Sequence, residues 1–422
     1  MTQTTQSDAR PTRPAQPLPL QGIKVIDYSH FLAGPHMSRC LSAMGADVIK
    51  VERPKEGDAG RTTPTIIHGV SGYFLQQNMG KKGLCINIKD PRGLKLMHEL
   101  TDSADVFVEN YRPGALNKLG LGFDELSGRN PKLVYCSVSA FGHTGPDSQR
   151  PGFGLIAEAR SGAQSLLGMP GEAPTLFRMP IADMYAGMHG VAAICAALLG
   201  RVTSGRGQHI DIALHDCMVS MHDYAAQGYL LNGELPRQTG HDLPSSTVYG
   251  TFTAKDGYLV IAAQMADTWR AMAKLMGGEA YASAVGHWNQ TERNANRDDI
   301  LARVRAWCMA QRGVKHCCDQ LDAAGIPAAP VQTIDKVMTD PQTLARGMVV
   351  EQEHPVLGKV KLPNLPFRFS DCDTAPSGVA PLLGQHNRDI AASLGYAGAD
   401  IDTLVKEGVL YAEDAVAGLA AL

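Results

Sequence analysis

Residues 178–216 read RMPIADMYAGMHGVAAICAALLGRVTSGRGQHIDIALHD, and they are the most informative part of this chain for its fold. The run from Met184 to Leu199 is rich in Ala, Gly, Ile and Leu and carries no charge. Arg201 and then Gly205 and Gly207 follow, as is usual past the C-terminus of a helix. The stretch therefore predicts a long helix that is buried almost all round, followed by a short apolar strand.

Asp183 is the single carboxylate at the start of this predicted helix. One interpretation makes it an N-cap, because Asp is among the best capping residues and contributes about 1 kcal/mol in that position. The other makes it a nucleophile, kept ionised because the N-terminus of a helix favours negative charge. The position of this one residue leaves both interpretations open.

Length and composition bound the class of protein. A chain of 422 residues exceeds the usual size of a single core, so two domains or a large insertion are expected. A hydrophobic content of 44% and a net charge of −3 give no reason to expect a nucleic-acid partner. The N-terminal segment has no apolar signal core and no eighteen-residue apolar run occurs, so we expect a cytoplasmic protein without membrane association. The nine cysteines include no CxxC pair, which predicts reduced thiols and no metal site.

From Gly22 onward, apolar strand patterns alternate with helical patterns. GIKVIDYS reads as a strand, AGPHMSRCLSAMGA as a helix with Pro35 in its first turn, and DVIKVERP as a second strand. LCINIKD, ADVFVENY and KLVYCSVSAFG continue the series with helical segments between them. The predicted fold class is α/β, with a doubly wound parallel sheet whose ligands bind beyond the carboxyl ends of the strands.

The predicted strand ends carry polar and aromatic residues that would form one rim. No GxGxxG follows the first strand, which argues against a nicotinamide cofactor. Arg53 stands at the end of the second strand, where such folds often bind the ribose of an adenine nucleotide and where Arg receives a ribose phosphate. Coenzyme A carries such a phosphate. The alternative for Arg53 is a surface ion pair with Glu52 or Glu56.

The chain changes character after the predicted helix that runs from His215 to about Leu231. Two alternating runs joined by Lys255–Asp256–Gly257 predict a hairpin, and helical patterns follow. We therefore expect a Pro-rich tail at 1–21, a large domain from 22–225 and 340–422, a linker at 226–240, and a small inserted α+β domain at 241–335.

Seven stretches, in order, resemble the class III CoA-transferases of the formyl-CoA:oxalate type. They are IDYSHFLAGPHMSRCLSAMGADVIKVERP, VENYRPGALNKLG, SVSAFGHTGP, IADMYAGMHGVAAICAALLGRVTSGRGQHIDIALHD, TVYGTFTAKDGYLVIAA, AAGIPAAPV and PLLGQHN. The resemblance implies a two-domain protomer interlocked with a second copy in a homodimer. It also implies coenzyme A as a substrate, with no permanently bound cofactor, and an acyl-CoA and a carboxylic acid as partners.

The resemblance also implies which residues act. The catalytic aspartate of the family falls on Asp183, which would attack a thioester to give a mixed anhydride and then an aspartyl-CoA thioester. The coenzyme-contacting positions fall on His30, Phe31, Arg53, Lys81, Asn110, Tyr111, Lys118, Ser139 and Phe141. This chain departs from the family pattern at Leu32, where Gln is frequent, and lacks a glycine-run loop between Gly233 and Gly250. We expect a short-chain or dicarboxylic acid as the acceptor.

Two other functions remain open at the level of sequence. The first is an acyl-CoA racemase of the same fold, which would need a His where this chain has Phe153. The second is a non-catalytic protein that binds CoA or a nucleotide. Entry of deuterium at the α-carbon of a chiral acyl-CoA, without any acceptor acid, would favour the racemase.

Overall fold

The computed structural model describes residues 17–243, 245–374 and 378–413. Most of the predicted tail at 1–21 lies outside the described residues. The described chain forms two compact units. The first contains residues 17–161, 177–221 and the described part of 344–413, and the second contains Gly162–Leu176 and His222–Thr343 without residue 244.

The elements are named in chain order. The elements before residue 222 are β1 (Lys24–Tyr28), α1 (Ala33–Ala43), β2 (Asp47–Glu52), β3 (Ile66–Ile67), β4 (Val70–Ser71), α2 (Gly72–Asn78), β5 (Lys82–Cys85), α3 (Pro91–Asp102), β6 (Val106–Glu109), α4 (Phe123–Arg129), β7 (Val134–Ser139), α5 (Gly154–Arg160), α6 (Ile181–Ser204), β8 (His209–Ala213) and α7 (Leu214–Ser220). The rest are α8 (Tyr224–Asn232), β9 (Tyr249–Ala254), β10 (Gly257–Ala262), α9 (Ala266–Val285), α10 (Gln290–Ala295), α11 (Arg297–Ala310), α12 (Val314–Ala323), β11 (Ala328–Pro330), α13 (Ile334–Thr339), α14 (Pro341–Ala345), β12 (Val349–His354), β13 (Gly358–Pro363), α15 (Asn387–Ser393) and α16 (Gly398–Lys406).

The six-stranded sheet of the first unit confirms the predicted parallel α/β architecture. Its strand order is β5-β2-β1-β6-β7-β8, and every neighbouring pair is parallel. The chain moves outward from β1 in one direction through β2 and β5, and in the other through β6, β7 and β8. The order therefore reverses between β1 and β6, and a crevice opens beyond the carboxyl ends of these two strands.

Close packing of α1 against α6 explains why the sequence of α6 is so rich in small residues. A Cβ added at Gly190 would lie 2.0 Å from Cε of Met37. One added at Gly187 would lie 3.0 Å from Cδ2 of His36. Because these glycines have no side chain, α1 and α6 approach each other closely and fix the N-terminal half of α6 beside the crevice.

Within this chain α6 is buried along one face and not almost all round as predicted. Its buried residues follow one stripe at fourfold spacing, namely Ala182, Ala186, Gly190, Ile194 and Leu198, with a few neighbours. Leu199 and Val202 on the other face are largely exposed. Length and hydropathy alone would allow α6 to cross a membrane, but the same test is passed by the core helix of a globular protein. Composition could not distinguish a helix buried on one face from one buried on all sides.

The second unit contains the predicted hairpin of β9 and β10, with β11 added antiparallel to β10. Helices α9, α11 and α12 cover the sheet, and their apolar side chains form one core around Trp269. The helix predicted from His215 is divided into α7 and α8, so α8 occupies the first part of the predicted linker at 226–240. The helix predicted as far as about Leu231 already included most of α8, so the predicted helix and the predicted linker overlap there.

The C-terminal part of the chain returns to the large sheet. The backbone N–H of Gly83 donates to Nδ1 of His386 (3.0 Å), and that of Cys85 donates to Oδ1 of Asn387 (2.8 Å). Both donors belong to β5, the edge strand of the sheet. These side chains therefore occupy hydrogen-bonding groups that an exposed edge would leave open.

Candidate active site

The loops after β1 and β6 are joined at the point where the strand order reverses. The backbone N–H of His30 donates to Oδ1 of Asn110 (2.8 Å), and Nδ2 of Asn110 donates to the carbonyl oxygen of His30 (2.7 Å). The ring of Tyr111 lies 4.9 Å from that of His30. Three residues predicted to contact the coenzyme are thus brought together at the crevice.

Two cavities meet at this loop. The first, of about 300 Å³, is lined by residues that include Asn110, Ser139, Phe153 and Asp183. The second, of about 330 Å³, extends over the ends of β1 and β2 and includes Arg53. His30, Phe31 and Tyr111 line both cavities. An elongated ligand could therefore occupy the two cavities together and reach from Arg53 to Asp183.

Phe31 has a backbone conformation that its sequence did not predict. Its φ angle is +63°, in the left-handed region that a bulky residue rarely adopts. The Asp58 carboxylate holds it there, because Oδ1 accepts from the backbone N–H groups of both Phe31 (2.9 Å) and Gly60 (2.8 Å). Asp58 is itself paired with the buried Lys50 at 2.8 Å. The strain at Phe31 is thus maintained by a buried ion pair behind the loop.

Lys81 belongs to the same buried network and does not reach either cavity. Its ammonium group donates to Asp27 (2.9 Å), to the side chain of Asn78 (2.8 Å) and to the carbonyl of Pro35 (2.9 Å). The side chain is fully buried, and these contacts use all three of its donors. Its placement speaks against the predicted direct contact with the coenzyme and assigns Lys81 to the support of the β1 loop.

Asp183 lies inside the first turn of α6 rather than at its N-cap. The N-cap position is taken by Pro180, and no side chain caps the helix from there. Oε1 of the buried Glu158 instead accepts from the backbone N–H of Ala182 at 3.2 Å. The N-cap interpretation of Asp183 is therefore wrong, because another carboxylate performs that function.

The Asp183 carboxylate has no hydrogen-bond or ion-pair partner among the described residues. Burial, and then the nearby charge of Glu158, raise its pKa to about 6. At neutral pH the group is still mostly ionised, yet it is more basic than an ordinary Asp. An unpaired, ionised carboxylate on the wall of a cavity is available for nucleophilic attack.

Comparison with known proteins identifies the family. The profile of CoA-transferase family III matches residues 20–387. The chain belongs to this family. It is 34% identical to the succinyl-CoA:glutarate CoA-transferase of Mus musculus over 394 residues, covering 93% of this chain and 90% of that protein. It is 32% identical to the succinate–glutarate CoA-transferase of Agrobacterium fabrum over 385 residues, covering 89% and 96%.

A crystal structure shows the same relationship at the level of fold. A CaiB/BaiF family protein from Brucella suis superposes with a TM-score of 0.80 and 35% identity, covering 90% of this chain and all of that chain (100%). The chain is therefore a CoA-transferase, an enzyme that moves CoA from an acyl-CoA thioester to a free carboxylic acid.

The other residues of this CoA-transferase that were predicted to contact the coenzyme differ in whether they line the two cavities. The Arg53 guanidinium is mostly exposed and makes a loose contact of 3.7 Å with Glu56, so it remains available to a phosphate. Ser139 lines the cavity of Asp183, and its hydroxyl accepts from the N–H of Gly142 at 3.0 Å. Lys118 is exposed and Phe141 half-buried, and neither lines the two cavities. The Phe141 ring lies 5.6 Å from the guanidinium of Arg160.

Sequence reasoning missed Asp58, Glu158 and Gly154. Asp58 lies within a polar segment and Glu158 is a lone acidic residue among apolar ones, and neither pattern indicates a buried carboxylate. Gly154 matters because a Cβ there would lie 2.1 Å from Oδ2 of Asp183. A Gly at the start of a helix is common in sequences, so only the structure reveals this contact.

The position that matches the histidine of a racemase holds Phe153. Phe153 lines the cavity with Asp183, and its ring lies 6.0 Å from that of Phe31. His143 lines a separate cavity of about 150 Å³, where its Nε2 lies 4.0 Å from the Glu109 carboxylate. Because no proton carrier replaces Phe153, the geometry favours transfer over α-proton exchange.

Proposed function

We propose that this CoA-transferase uses Asp183 as a covalent nucleophile and exchanges CoA between a succinyl-type thioester and a short dicarboxylic acid. The observation that carries the proposal is the unpaired Asp183 carboxylate, with a pKa of about 6, on the wall of a cavity continuous with the rim at Arg53. The relatives that act on succinyl-CoA and glutarate supply the substrate class.

The first half of the reaction moves CoA onto the enzyme. An oxygen of Asp183 attacks the thioester carbonyl, the carbon–sulfur bond breaks, and CoA leaves as a thiolate. The product is a mixed anhydride between Asp183 and the donor acid. The thiolate then attacks the Asp183 carbonyl of the anhydride, so the donor acid leaves as a carboxylate and an aspartyl-CoA thioester remains.

The second half reverses these steps with a new acid. The acceptor carboxylate attacks the aspartyl-CoA carbonyl and releases the thiolate, giving a second anhydride. The thiolate attacks the acceptor acyl carbon, which forms the new acyl-CoA and restores the Asp183 carboxylate. The thioester energy is conserved only while water stays away from the anhydride, and the partial burial of Asp183 favours this.

The two cavities suggest how the substrate lies. The nucleotide end of CoA would occupy the cavity at Arg53, whose guanidinium is free to bind the 3′-phosphate. The pantetheine arm would pass between Phe31 and Tyr111, which line both cavities, and bring the thioester to Asp183. Arg112 and Arg150 line the Asp183 cavity and would bind the second carboxylate of a dicarboxylic acid.

The proposal includes an interlocked homodimer. Its support is the family resemblance together with exposed apolar side chains in each unit: Leu199 and Val202 on α6, and Leu230 and Leu231 on α8. Surfaces of this kind in a stable protein are usually covered by a partner. Light scattering at micromolar concentration should give twice the mass of the chain, and a monomer would contradict this part of the proposal. Nine free cysteines motivate the further proposal of a cytoplasmic location.

Trapping of the intermediate tests the proposed nucleophile. The enzyme is incubated with succinyl-CoA and then with hydroxylamine, which converts either covalent intermediate at Asp183 to a hydroxamate. Peptide mass spectrometry should locate the modification on Asp183 and on no other carboxylate. The control omits succinyl-CoA, because an unactivated carboxylate does not react. A hydroxamate on another side chain would refute the proposed role of Asp183.

A further inference from the structure

Helix α5 meets the first turn of α6 through two residues on one of its faces. Gly154 and Glu158 are four positions apart, so they lie on the same side of α5. Gly154 approaches Asp183 so closely that an added Cβ would lie 2.1 Å from Oδ2. Glu158 binds the backbone N–H of the residue just before Asp183. One helix therefore contacts both the side chain and the backbone at the nucleophile.

The contact at Glu158 is built into the interior of the protein. The residue is 2% exposed, so its carboxylate has left water and needs partners inside the protein. The Ala182 N–H is one of the free donors at the N-terminus of α6, and Pro180 offers no side chain to accept from it. Glu158 thus supplies from α5 the cap that the sequence of α6 lacks.

The contact at Gly154 determines where the nucleophile can lie. The atom that an added Cβ would meet is the terminal oxygen of Asp183, which can rotate away at little cost to folding. The same rotation would carry the reacting oxygen away from its observed position. The missing side chain at Gly154 therefore matters for the position of Asp183 more than for stability.

We propose that α5 positions the nucleophile of this enzyme, with Gly154 leaving the space for the Asp183 carboxylate and Glu158 holding the first turn of α6 and placing a second negative charge beside it. Both are positioning residues, since they act through Asp183 and need not touch substrate. The inference rests on the proposed role of Asp183 and adds the residues that control it.

Other ionisable groups surround Asp183, and the test must separate Glu158 from them. Tyr73 of α2 has its pKa raised by burial and then by the charge of Asp183, so it stays neutral. His30, Arg112 and Arg150 line the same cavity from the loops after β1, after β6 and before α5. Burial contributes most to the raised pKa of Asp183, and the charge of Glu158 raises it further. A change confined to Glu158 should therefore be visible in the pH profile.

The first test uses Glu158→Gln. The amide oxygen of Gln can still accept from Ala182, but the negative charge is gone. The acid limb of kcat/KM, and of the rate of hydroxamate formation, should move to lower pH by up to about one unit, because burial causes most of the raised pKa. Above pH 7.5 the rate should fall a few-fold, roughly two- to fivefold, because a less basic carboxylate is a weaker nucleophile. A residue that only holds the helix would leave the midpoint of the acid limb where it is.

The second test uses Gly154→Ala, which does not depend on the folding of the first variant. Ala is the better helix former, so stability should be kept, while kcat should fall by about 10²-fold through displacement of Asp183. KM for succinyl-CoA should stay within about threefold, because the substrate cavity is otherwise unchanged. Gly128→Ala in α4 is the matched control, since a Cβ there meets no atom within 4 Å. The control should keep wild-type kcat.

The outcomes separate this inference from the proposed function. An unchanged acid limb in Glu158→Gln, or wild-type kcat in Gly154→Ala, would overturn the positioning role of α5 even if Asp183 is the nucleophile. Full activity of Asp183→Asn, or a hydroxamate elsewhere, would instead overturn the proposed function itself. If Glu158→Gln does not fold, Gly154→Ala with its control decides the question alone.

Discussion

Asp27 and Asp183 belong to the same unit, and burial opposes the charge of both carboxylates, but their surroundings are opposite. The carboxylate of Asp27 is fully buried, accepts from Ser29, Ser38 and Lys81, and lies 3.9 Å from Lys50. Burial opposes its charge, and the two lysines and two serines overcome burial, so its pKa is held well below the usual range. Asp183 has none of these partners, and its pKa rises to about 6.

Burial alone does not decide what a carboxylate does. Desolvation pushes the pKa of both groups upward, and the partners determine the outcome. A fully paired carboxylate has its lone pairs occupied and serves structure, here by holding Lys81 and the loop that follows β1. An unpaired one keeps a lone pair for reaction. The same residue type therefore supports structure at Asp27, whereas we propose that it reacts at Asp183.

The largest expected effect is the loss of transfer in Asp183→Asn. An amide is a very poor nucleophile and forms neither intermediate, so succinyl-CoA-dependent transfer should fall by about 10⁴-fold or more. Affinity for CoA, measured by calorimetry, should change little because the rim at Arg53 is untouched. Transfer at a near wild-type rate would show that Asp183 is not the nucleophile. Its proposed difference in function from Asp27 would then be wrong.

The second prediction concerns the paired carboxylate, Asp27, whose mutation should affect stability. Asp27→Asn leaves Lys50 and Lys81 without their shared partner, so the free energy of unfolding should fall by about 3–5 kcal/mol. Chemical denaturation measures this change. Asp102→Asn is the control, because its pair with Arg129 is partly exposed and should contribute no more than about 1 kcal/mol. Equal losses in the two variants would show that the Asp27 network adds nothing special to stability.

Much of the fold and part of the candidate site could be predicted from the sequence, because the sequence signals for them are local. Alternating strands and helices gave the parallel sheet, and the polar residues at strand ends gave His30, Asn110 and Tyr111 at one crevice. Asp183 could be singled out because it is the one carboxylate at the start of an apolar helix. In each of these cases the residue type and its place in a helix or strand can be recognised from a few neighbouring residues.

What could not be predicted depends on contacts between distant segments. Lys81 was expected at the coenzyme, but its partner Asp27 lies 54 residues away and withdraws it into the interior. Glu158 caps a helix that begins 23 residues later, and no capping pattern spans such a distance. The burial of α6 was overestimated because composition reports how apolar a helix is and not how many of its faces are covered.

The third prediction concerns the far end of the crevice. Arg53→Ala should weaken CoA binding by about 1.5–3 kcal/mol and weaken 3′-dephospho-CoA binding much less, because a charge-assisted phosphate contact is lost. Lys359→Ala removes a similarly exposed cation on β13 and should leave both affinities unchanged. Equal losses for both ligands in Arg53→Ala would mean that Arg53 binds another part of the coenzyme or only pairs with Glu56.

The smallest effect is a gain of stability in Asp183→Asn that depends on pH. Because the folded pKa of about 6 lies above the ordinary value of 3.8, the folded enzyme binds a proton at Asp183 more readily than the unfolded chain does. Wild type therefore keeps its full stability below about pH 4 and loses part of it as the pH rises through 6, where Asp183 ionises without a partner.

The amide in the Asp183→Asn variant would carry no charge at any pH, so the variant should escape this loss. We expect it to be more stable than wild type by about 1–2 kcal/mol at pH 7.5, with the difference growing between pH 4 and 6 and constant above, as measured by denaturation at fixed ionic strength. Asp102→Asn should show no such gain, because that carboxylate is paired and partly exposed. A variant less stable than wild type at pH 7.5 would mean that ionised Asp183 has stabilising partners. Asp183 would then resemble Asp27 and not differ from it.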